Sequence, residues 1–430
     1  MSALRRGAAT AAAPPQRPRP RVVIVGSGFA GLNAALTLAG APVDVTLVDR
    51  DNYHGFWPLL YQVATAGLGP DDIAHPVRAI FAGHQNVTVR LGLVTRVDVD
   101  ERRVELDHGE VLLYDYLVLA VGSSTSDFGI PGVKDHAFPL KTLPEAVNLR
   151  NHILTAFEHA DADRSAVPEG LLTIVLAGGG PTGVEMAGAL SELIGTNLAL
   201  DFRHLDVTAA RVVLVEATDR LLGGFSERSQ QEALTTLRTK GVEVLLDAPL
   251  AKVTDHGVTL ADGTEIATRT VVWTAGVRAN PLADLLPGAK RRNGTVIVEP
   301  DLSLPAHPEV FVVGDVAAVL DRKDQALPQL AQVAIQGGRH AAGSIVRHLA
   351  GKATRPFRYR DHGIMATIGR QSAVAELPGG LKLRGTLGWL AWLAVHLVFL
   401  VGFRNRLVVL VNWAWNYVTW DRASRVILDD

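Results

Sequence analysis

Short apolar runs and helical patterns alternate at the start of the chain. Val22–Val25 predicts a buried strand, Leu32–Ala39 a helix, and Val43–Val48 a second strand that ends at Asp49. The turn Gly26-Ser27-Gly28-Phe29-Ala30-Gly31 joins the first strand to the helix. This order is typical of a βαβ unit, in which a helix connects two parallel strands through a right-handed crossover.

The same pattern recurs about 150 residues later, which indicates a duplicated unit. Leu172–Ala177 predicts a strand, Val184–Leu193 a helix, and Arg211–Val215 a strand that ends at Glu216. The glycine turn here is Gly178-Gly179-Gly180-Pro181-Thr182-Gly183, and residues 195–210 look like an insertion that lengthens the helix or its loop. We therefore expect an α/β fold with two Rossmann-like dinucleotide-binding domains.

Other segments fit strands, turns and a helix between and after these units. The predicted strands are Tyr116–Ala120, Thr270–Trp273, Thr295–Val298 and Val310–Val313; the predicted hairpin turns are Asp262-Gly263 and Asn293-Gly294; the predicted helix is Leu330–Leu349. We expect a disordered tail at 1–20, one nucleotide-binding domain in two parts at 21–145 and 281–384, the other at 146–280, and an apolar helical segment at 385–430.

The apolar C-terminal segment contains two runs of helical length. In Leu387–Phe403 only His396 can carry a charge, and 17 residues of helix would extend about 25 Å, less than the ~30 Å of a hydrocarbon core. Arg404 and Arg406 separate it from Leu407–Trp420. Five of the seven tryptophans lie in this segment, and such clusters suit a bilayer interface.

Three arrangements compete for this segment: two interfacial helices, a tight transmembrane hairpin, and buried core or dimer helices. The short length, the flanking arginines and a polar face with Asn412 and Asn416 favour interfacial helices that contact membrane lipid. A homodimer contact is compatible with such docking.

Composition narrows the chemistry. The net charge of −2 gives no sign of nucleic-acid binding. The absence of cysteine excludes disulfides, thiolate metal sites, iron–sulfur clusters and a redox cysteine pair. The 14 histidines show no metal-ligand spacing, so we expect no metal.

The two glycine turns have the residues that a dinucleotide needs. Gly26 and Gly178 permit the sharp turn, Gly28 and Gly180 let the backbone approach a pyrophosphate, and Gly31 and Gly183 allow close packing of helix on strand. Asp49 and Glu216 end the following strands, where a carboxylate accepts ribose hydroxyls. An acid at Glu216 disfavours a 2′-phosphate, so we expect NADH rather than NADPH in the second unit.

Two dinucleotide sites in one chain suggest a resident flavin and a diffusing nicotinamide. The later pair Gly314-Asp315, which follows an apolar strand, has an acid able to bond the ribityl chain of FAD.

At this point the chain resembles the two-dinucleotide-binding-domain flavoproteins and, among them, the type II NADH dehydrogenases. The residues that carry this resemblance are the two glycine turns with Glu185, Phe56–Thr65, Thr274–Val277, Gly314-Asp315 and Ala331-Gln332-Val333-Ala334-Ile335-Gln336. The resemblance implies an FAD-dependent NADH:quinone oxidoreductase that does not pump protons. It further implies a peripheral enzyme on the cytoplasmic side of the inner membrane that uses menaquinone or ubiquinone.

The resemblance also implies site residues. Gln332 and Gln336, four residues apart on one helix face, are expected to bond a quinone oxygen, and Glu185 to orient substrate or pass a proton. A polar solvent face for the glutamines and simple helix-dipole stabilisation for Glu185 remain alternatives. Further expected cofactor contacts are Ser27, Phe29, Ala30, Arg50, Val94 through its backbone, Gly122, Gly276, Ala331 and, near the flavin, Lys382.

Two other functions remain open. One is a soluble NADH-dependent flavin reductase that passes electrons to a protein such as a ferredoxin. The other is a membrane-docked flavoprotein that senses NADH with little turnover.

Overall fold

The computed structural model describes residues 19–321, 325–419 and 424–428. The expected tail, apart from residues 19 and 20, lies outside the described residues, and so does Trp420. Two sheets, each flanked by helices, make up most of the chain, and each has a buried apolar core.

The first sheet has six strands. Its order is Ser303–Leu304, His307–Val312, Tyr116–Leu119, Arg21–Val25, Asp44–Asp49 and Val87–Leu91. Every neighbouring pair is parallel except the first, which is antiparallel. The helices Phe29–Leu38 and Ala331–Leu349 pack against each other at close range, since a Cβ at Gly338 would lie 2.0 Å from the Ala30 carbonyl oxygen.

The second sheet has five parallel strands. Its order is Ala137–Pro139, Thr270–Trp273, Thr173–Ala177, Arg211–Val215 and Glu243–Leu245. Its longer helices are Leu143–Ala162, Pro181–Glu192 and Glu227–Thr239. A π-helical stretch, Leu193–Leu198, and the short helix Ala199–Asp201 extend the second of these, so the predicted insertion lengthens both helix and loop.

Both helices after the glycine turns begin three residues earlier than predicted. They start at Phe29 and Pro181, because Gly28 and Gly180 are their N-caps. Apolar periodicity underestimates such helices, since the first turn of each consists of residues of the glycine turn itself.

The chain passes between the two units twice, through an antiparallel pair. Ser123–Thr125 leads into the second unit and pairs with Val277–Ala279, which leads out of it. The expected boundary at 145/146 falls inside the helix Leu143–Ala162, and the second sheet already begins at Ala137–Pro139. The passage thus occurs about 20 residues earlier than the expected boundary.

Two predicted hairpins have different outcomes. Asp262-Gly263 joins the antiparallel strands Gly257–Leu260 and Glu265–Ala267, as predicted. Asn293-Gly294 closes only a single bridge between Lys290 and Val296. The predicted strand Thr295–Val298 is reduced to Val296–Ile297, which pairs in parallel with the two residues Ala317–Ala318.

Smaller elements complete the two units. They are the strands Tyr53–Gly55, Ala74–Pro76, Val94–Asp98, Arg103–Leu106, Val111–Leu113 and Leu250–Val253, and the helices Leu60–Ala64, Pro70–Ile73, Val77–Ile80 and Val133–His136, with single 3-10 turns between some of them.

The C-terminal part has a sheet and two helices. The C-terminal sheet consists of Ile364–Thr367, Ala373–Glu376 and Lys382–Arg384, and the C-terminal helices are Gly385–Phe399 and Phe403–Thr419. Among the described residues no helix is both long and apolar enough to cross a membrane.

Candidate active site

The first glycine turn forms a narrow cradle. Gly26 has φ +98°, and a Cβ there would lie 2.5 Å from the Ala120 carbonyl oxygen, so only glycine fits. A Cβ at Gly31 would lie 1.8 Å from the Gly26 oxygen. At Gly28, by contrast, a Cβ would meet no atom within 4 Å, and this residue caps the helix Phe29–Leu38. The open position thus lies at a helix N-terminus, where a pyrophosphate binds well.

Asp49 lies at the edge of this cradle. Its carboxylate accepts hydrogen bonds from the backbone N–H and the hydroxyl of Ser27, the latter at 2.7 Å. The Gly92 N–H donates to the Asp49 carbonyl at 2.8 Å, which brings the start of the strand Val94–Asp98 beside the acid. Arg50 is exposed and pairs with Asp51 at 3.4 Å.

The Gly314-Asp315 turn lies close to the same cradle. Gly314 has φ +77°, and a Cβ there would lie 3.3 Å from that of Ala30. Asp315 accepts a 2.8 Å bond from the Ser123 hydroxyl and lies 3.7 Å from the Lys141 ammonium. Neither Ser123 nor Lys141 was predicted, because their contacts to Asp315 span more than 170 residues.

A buried histidine that the sequence did not predict as a site residue lies beside the first glycine turn. His54 shares a 2.8 Å hydrogen bond between Nδ1 and the Ser27 carbonyl. Its Nε2 is buried and has no hydrogen-bond partner in the described part of the chain. Burial lowers the pKa of His54, so the ring is neutral at physiological pH. An open helix N-terminus, a strand-end acid and an unsatisfied buried nitrogen fit the binding of FAD.

The second glycine turn repeats this geometry. Gly178 has φ +112°, and a Cβ at Gly183 would lie 1.9 Å from the Gly178 oxygen, whereas Gly180 faces open space. Glu216 accepts the Gly179 N–H at 2.6 Å and, through its other oxygen, the N–H and hydroxyl of Thr218 at 2.8 Å each. These bonds hold the carboxylate beside the turn, where its charge opposes a 2′-phosphate.

Glu185 is a buried acid one turn into the helix Pro181–Glu192. Its carboxyl accepts the Thr367 N–H at 3.3 Å, from the C-terminal sheet rather than from its own helix N-terminus. Burial raises the pKa of Glu185 to about 8, although the Thr367 bond and the indole N–H of Trp392 oppose this rise. Glu185 is therefore mostly protonated at pH 7. Helix-dipole stabilisation acts on a negatively charged carboxylate, so it does not account for this neutral acid.

The two glutamines share a face, but both bind backbone. Gln332 donates to the Gly363 carbonyl at 2.9 Å and accepts the His362 N–H at 3.0 Å. Gln336 donates to the Arg360 carbonyl at 2.8 Å and accepts the Arg360 N–H at 2.9 Å. Each amide thus holds the segment 360–363 in place and keeps one N–H and one oxygen lone pair for another partner.

Lys382 lies on the C-terminal sheet. It is exposed on the edge strand Lys382–Arg384, and its charge helps to lower the pKa of Glu376, after the larger hydrogen bonds from Ser226 and Ser229. Glu376 belongs to the C-terminal sheet, and Ser226 and Ser229 belong to the N-terminal end of the helix Glu227–Thr239.

The polar face of the second C-terminal helix also differs from the expectation. Asn412 donates to the Asp72 carboxylate at 3.1 Å and Asn416 to the Gly67 carbonyl at 3.0 Å. The Trp413 indole donates to Gln62 at 2.9 Å. This face therefore attaches the helix to residues 62–72 rather than facing lipid headgroups.

A cavity lies between these elements and close to Glu185. Its lining includes Tyr61, Gln62, Thr367, Trp392, Trp413 and Asn416. Thr367 also bonds Glu185, so the cavity wall and the buried acid share a residue. Among the described residues no cluster suited to a metal ion occurs.

Comparisons with known proteins agree on one family. The profile described as "Pyridine nucleotide-disulphide oxidoreductase" matches residues 20–338, and "NDH2 C-terminal domain" matches 362–419. The "Type II NADH:quinone oxidoreductase Ndh" of Mycobacterium tuberculosis is 42% identical over 97% of this chain and 92% of its own length. The "Type II NADH:quinone oxidoreductase" of Staphylococcus haemolyticus is 31% identical over 84% of this chain and 90% of its own.

Solved structures show the same fold. NDH2 from Plasmodium falciparum, in complex with NADH, has a TM-score of 0.87 at 18% identity and covers 96% of this chain and 100% of its own. The sulfide:quinone oxidoreductase of Aquifex aeolicus has a TM-score of 0.73 at 18% identity, over 90% of this chain and 92% of its own. With two nucleotide cradles, a matching C-terminal domain and close relatives along nearly its full length, this chain belongs to the type II NADH:quinone oxidoreductase family.

Proposed function

We propose that the chain is an FAD-dependent NADH:quinone oxidoreductase that transfers electrons without pumping protons. The observation that carries this is the presence of two nucleotide cradles in one chain together with Glu185, a buried acid one turn beyond the second cradle that bonds Thr367 in the wall of the C-terminal cavity. Each turnover consumes NADH, a quinone and one proton, and yields NAD⁺ and a quinol.

The first cradle holds FAD, through Gly28 for the pyrophosphate, Asp49 for the ribose and Asp315 for the ribityl chain. Bound FAD supplies the redox chemistry, since it accepts a hydride equivalent and releases electrons to an acceptor. The second cradle holds NADH, with Glu216 on the adenosine ribose and Gly180 under the pyrophosphate.

The quinone site lies beside Glu185 and the glutamine face. Glu185 holds a proton at neutral pH and is placed to supply it as the quinol forms. Gln332 and Gln336 keep the segment 360–363 in place and offer their remaining N–H groups to a quinone oxygen.

The C-terminal helices dock this site on the lipid that dissolves the quinone. Each helix presents an exposed apolar stripe: Leu387, Leu390, Ala394 and Val398 on the first, and Leu407, Leu410, Val411, Ala414 and Trp415 on the second. The spacing of three and four residues places each set on one helix face. A stripe of this kind favours a membrane acceptor over a soluble protein acceptor, and we place the enzyme peripherally on the cytoplasmic side of the inner membrane.

Anaerobic half-reactions test the proposal. The yellow, FAD-loaded protein should bleach with NADH and recover with added quinone but not with a ferredoxin. Gln332→Ala should slow the recovery far more than the bleaching, and equal slowing of both would contradict the acceptor site. Absence of NADH-dependent bleaching would favour the sensor function.

Liposome flotation tests the docking. Leu390→Glu with Leu410→Glu should abolish flotation, whereas Leu113→Glu, which changes an equally exposed leucine on the strand Val111–Leu113, should not. If the double variant floats but changes from dimer to monomer in light scattering, a second copy covers these stripes instead.

A further inference from the structure

A large aromatic side chain lies exposed at the entrance of the second unit. Phe128 follows the strand Ser123–Thr125 and is 65% exposed. Its backbone has φ +52°, the left-handed region that bulky residues rarely adopt. Strain of this kind persists only where neighbouring structure holds it, and it concentrates at ligand-binding sites.

The turn that carries Phe128 is tied to the second sheet. The Trp273 indole donates to the Ser126 carbonyl at 2.8 Å, and the Ser126 N–H donates to the Gly276 carbonyl at 3.3 Å. The Phe128 and Trp273 rings lie 6.4 Å apart at 58°. The turn is thereby anchored to the end of the strand Thr270–Trp273.

The ring of Phe128 covers Gly276. A Cβ at Gly276 would lie 2.1 Å from Cζ of Phe128, so a side chain at 276 would displace the ring. The preceding residue, Ala275, adjoins the second glycine turn, since a Cβ at Gly178 would lie 2.9 Å from its nitrogen. Phe128, Gly276 and Gly178 therefore form one continuous edge.

The position of this edge identifies which half of a dinucleotide it meets. The strand Thr173–Ala177, which leads into the glycine turn, lies between Arg211–Val215 and Thr270–Trp273. Glu216, at the end of the first neighbour, takes the adenosine ribose. With the pyrophosphate over Gly180, the other half extends toward residues 274–276.

We propose that Phe128 forms a wall of the NADH site and packs its ring against the nicotinamide riboside. This inference rests on the proposed function, which puts NADH on the second unit. Aromatic packing adds binding energy beyond the buried area and orients a flat ring. Phe128 is thus a further binding residue of the NADH half-reaction, and it has no part in quinone binding.

Substitutions in the FAD-loaded enzyme test the inference. Phe128→Ala should weaken NAD⁺ binding in calorimetry, and raise KM for NADH, by about threefold to tenfold. Phe128→Tyr retains the ring and should stay within about twofold of the wild type. Reoxidation by quinone should be unchanged in both. Leu113→Ala, at another exposed apolar site on the strand Val111–Leu113, should leave NAD⁺ affinity unchanged.

Phe128→Gly separates binding from strain. It removes the ring but accepts φ +52°, so it should lose NAD⁺ affinity as Phe128→Ala does while unfolding at a higher temperature than that variant. Unchanged NAD⁺ affinity in both variants, with reduced affinity in Glu216→Ala, would overturn this inference and leave the proposed NADH site intact. Unchanged affinity in all three variants would overturn both.

Discussion

Replacement of Glu185 by glutamine isolates the effect of one buried proton. The side chain is 8% exposed, and its carboxyl accepts the Thr367 N–H, a bond that an amide oxygen can also accept. Glu185→Gln therefore preserves the shape and the hydrogen bond but removes the ability to ionise. Any difference in stability or reoxidation rate between the two proteins that changes with pH is then due to the carboxyl group itself.

The size of the effect on stability follows from the pKa of Glu185. Burial raises the pKa of Glu185 from 4.5 to about 8. Below pH 4.5 both folded and unfolded chains hold the proton, and the full stability is present. Between pH 4.5 and 8 only the folded chain holds it, so wild-type stability falls as pH rises, by about 1.36 kcal/mol per unit. The total loss in the free energy of unfolding is about 5 kcal/mol at most. The glutamine variant cannot ionise at this position and has no such loss.

The assay compares thermal midpoints of the FAD-loaded proteins between pH 5.5 and 8.5. The midpoint of Glu185→Gln relative to the wild type should rise steadily across this range and level off above pH 8. Glu169→Gln, the same substitution at an exposed position beside Arg269, should show a constant difference in thermal midpoint from the wild type.

The same carboxyl predicts the kinetics of reoxidation. Loss of a general acid slows proton transfer by about 10²-fold or more, so quinone-dependent reoxidation of Glu185→Gln should be slow and independent of pH. In the wild type, reoxidation should decline above pH 8 as the proton is lost. A midpoint difference that stays constant with pH, together with an unchanged rate in the variant, would refute the assignment of a buried neutral acid.

Three further substitutions test the cofactor sites and the C-terminal attachment. Asp315→Ala removes a charged hydrogen-bond acceptor and should lower FAD affinity by about 10- to 100-fold, measured as flavin retained after gel filtration; a fully yellow variant would contradict the site. Glu216→Ala should reduce the preference for NADH over NADPH in steady-state assays. An unchanged ratio of the activities with the two nucleotides would place the ribose contact elsewhere. Trp413→Phe leaves the Gln62 oxygen without its donor and should destabilise the fold by about 1–3 kcal/mol, whereas Trp415→Phe, at an exposed position, should not change the thermal midpoint.

The parts that could be predicted from sequence depend on local geometry. Gly26 and Gly178 have positive φ, and a side chain at Gly31 or Gly183 would collide with their carbonyl oxygens. Both effects arise within one strand–turn–helix unit. Asp49 and Glu216 come to the edges of their turns because parallel neighbouring strands end together. Such features need only the order of apolar, glycine and acidic residues along a short stretch.

The parts that could not be predicted depend on partners far away in the chain. Glu185 is neutral because of burial against Thr367, 182 residues away. Helix spacing placed Gln332 and Gln336 on one face, but it did not reveal that their amides bond the backbone of 360–363. Asn412 and Asn416 resembled the polar face of an interfacial helix, yet they bind residues more than 300 positions away. Helical periodicity reports that a face is polar, and not what covers it.

The sequence by itself determined the duplicated βαβ units, the two nucleotide turns with their acids, and the apolar character of the C-terminal helices. Only the tertiary structure decided which apolar side chains stay exposed, which acid keeps its proton, and why Phe128 lies against Gly276. Turns and helices follow from steric and apolar patterns over a few residues, whereas desolvation and ring contacts arise only when distant segments are brought together.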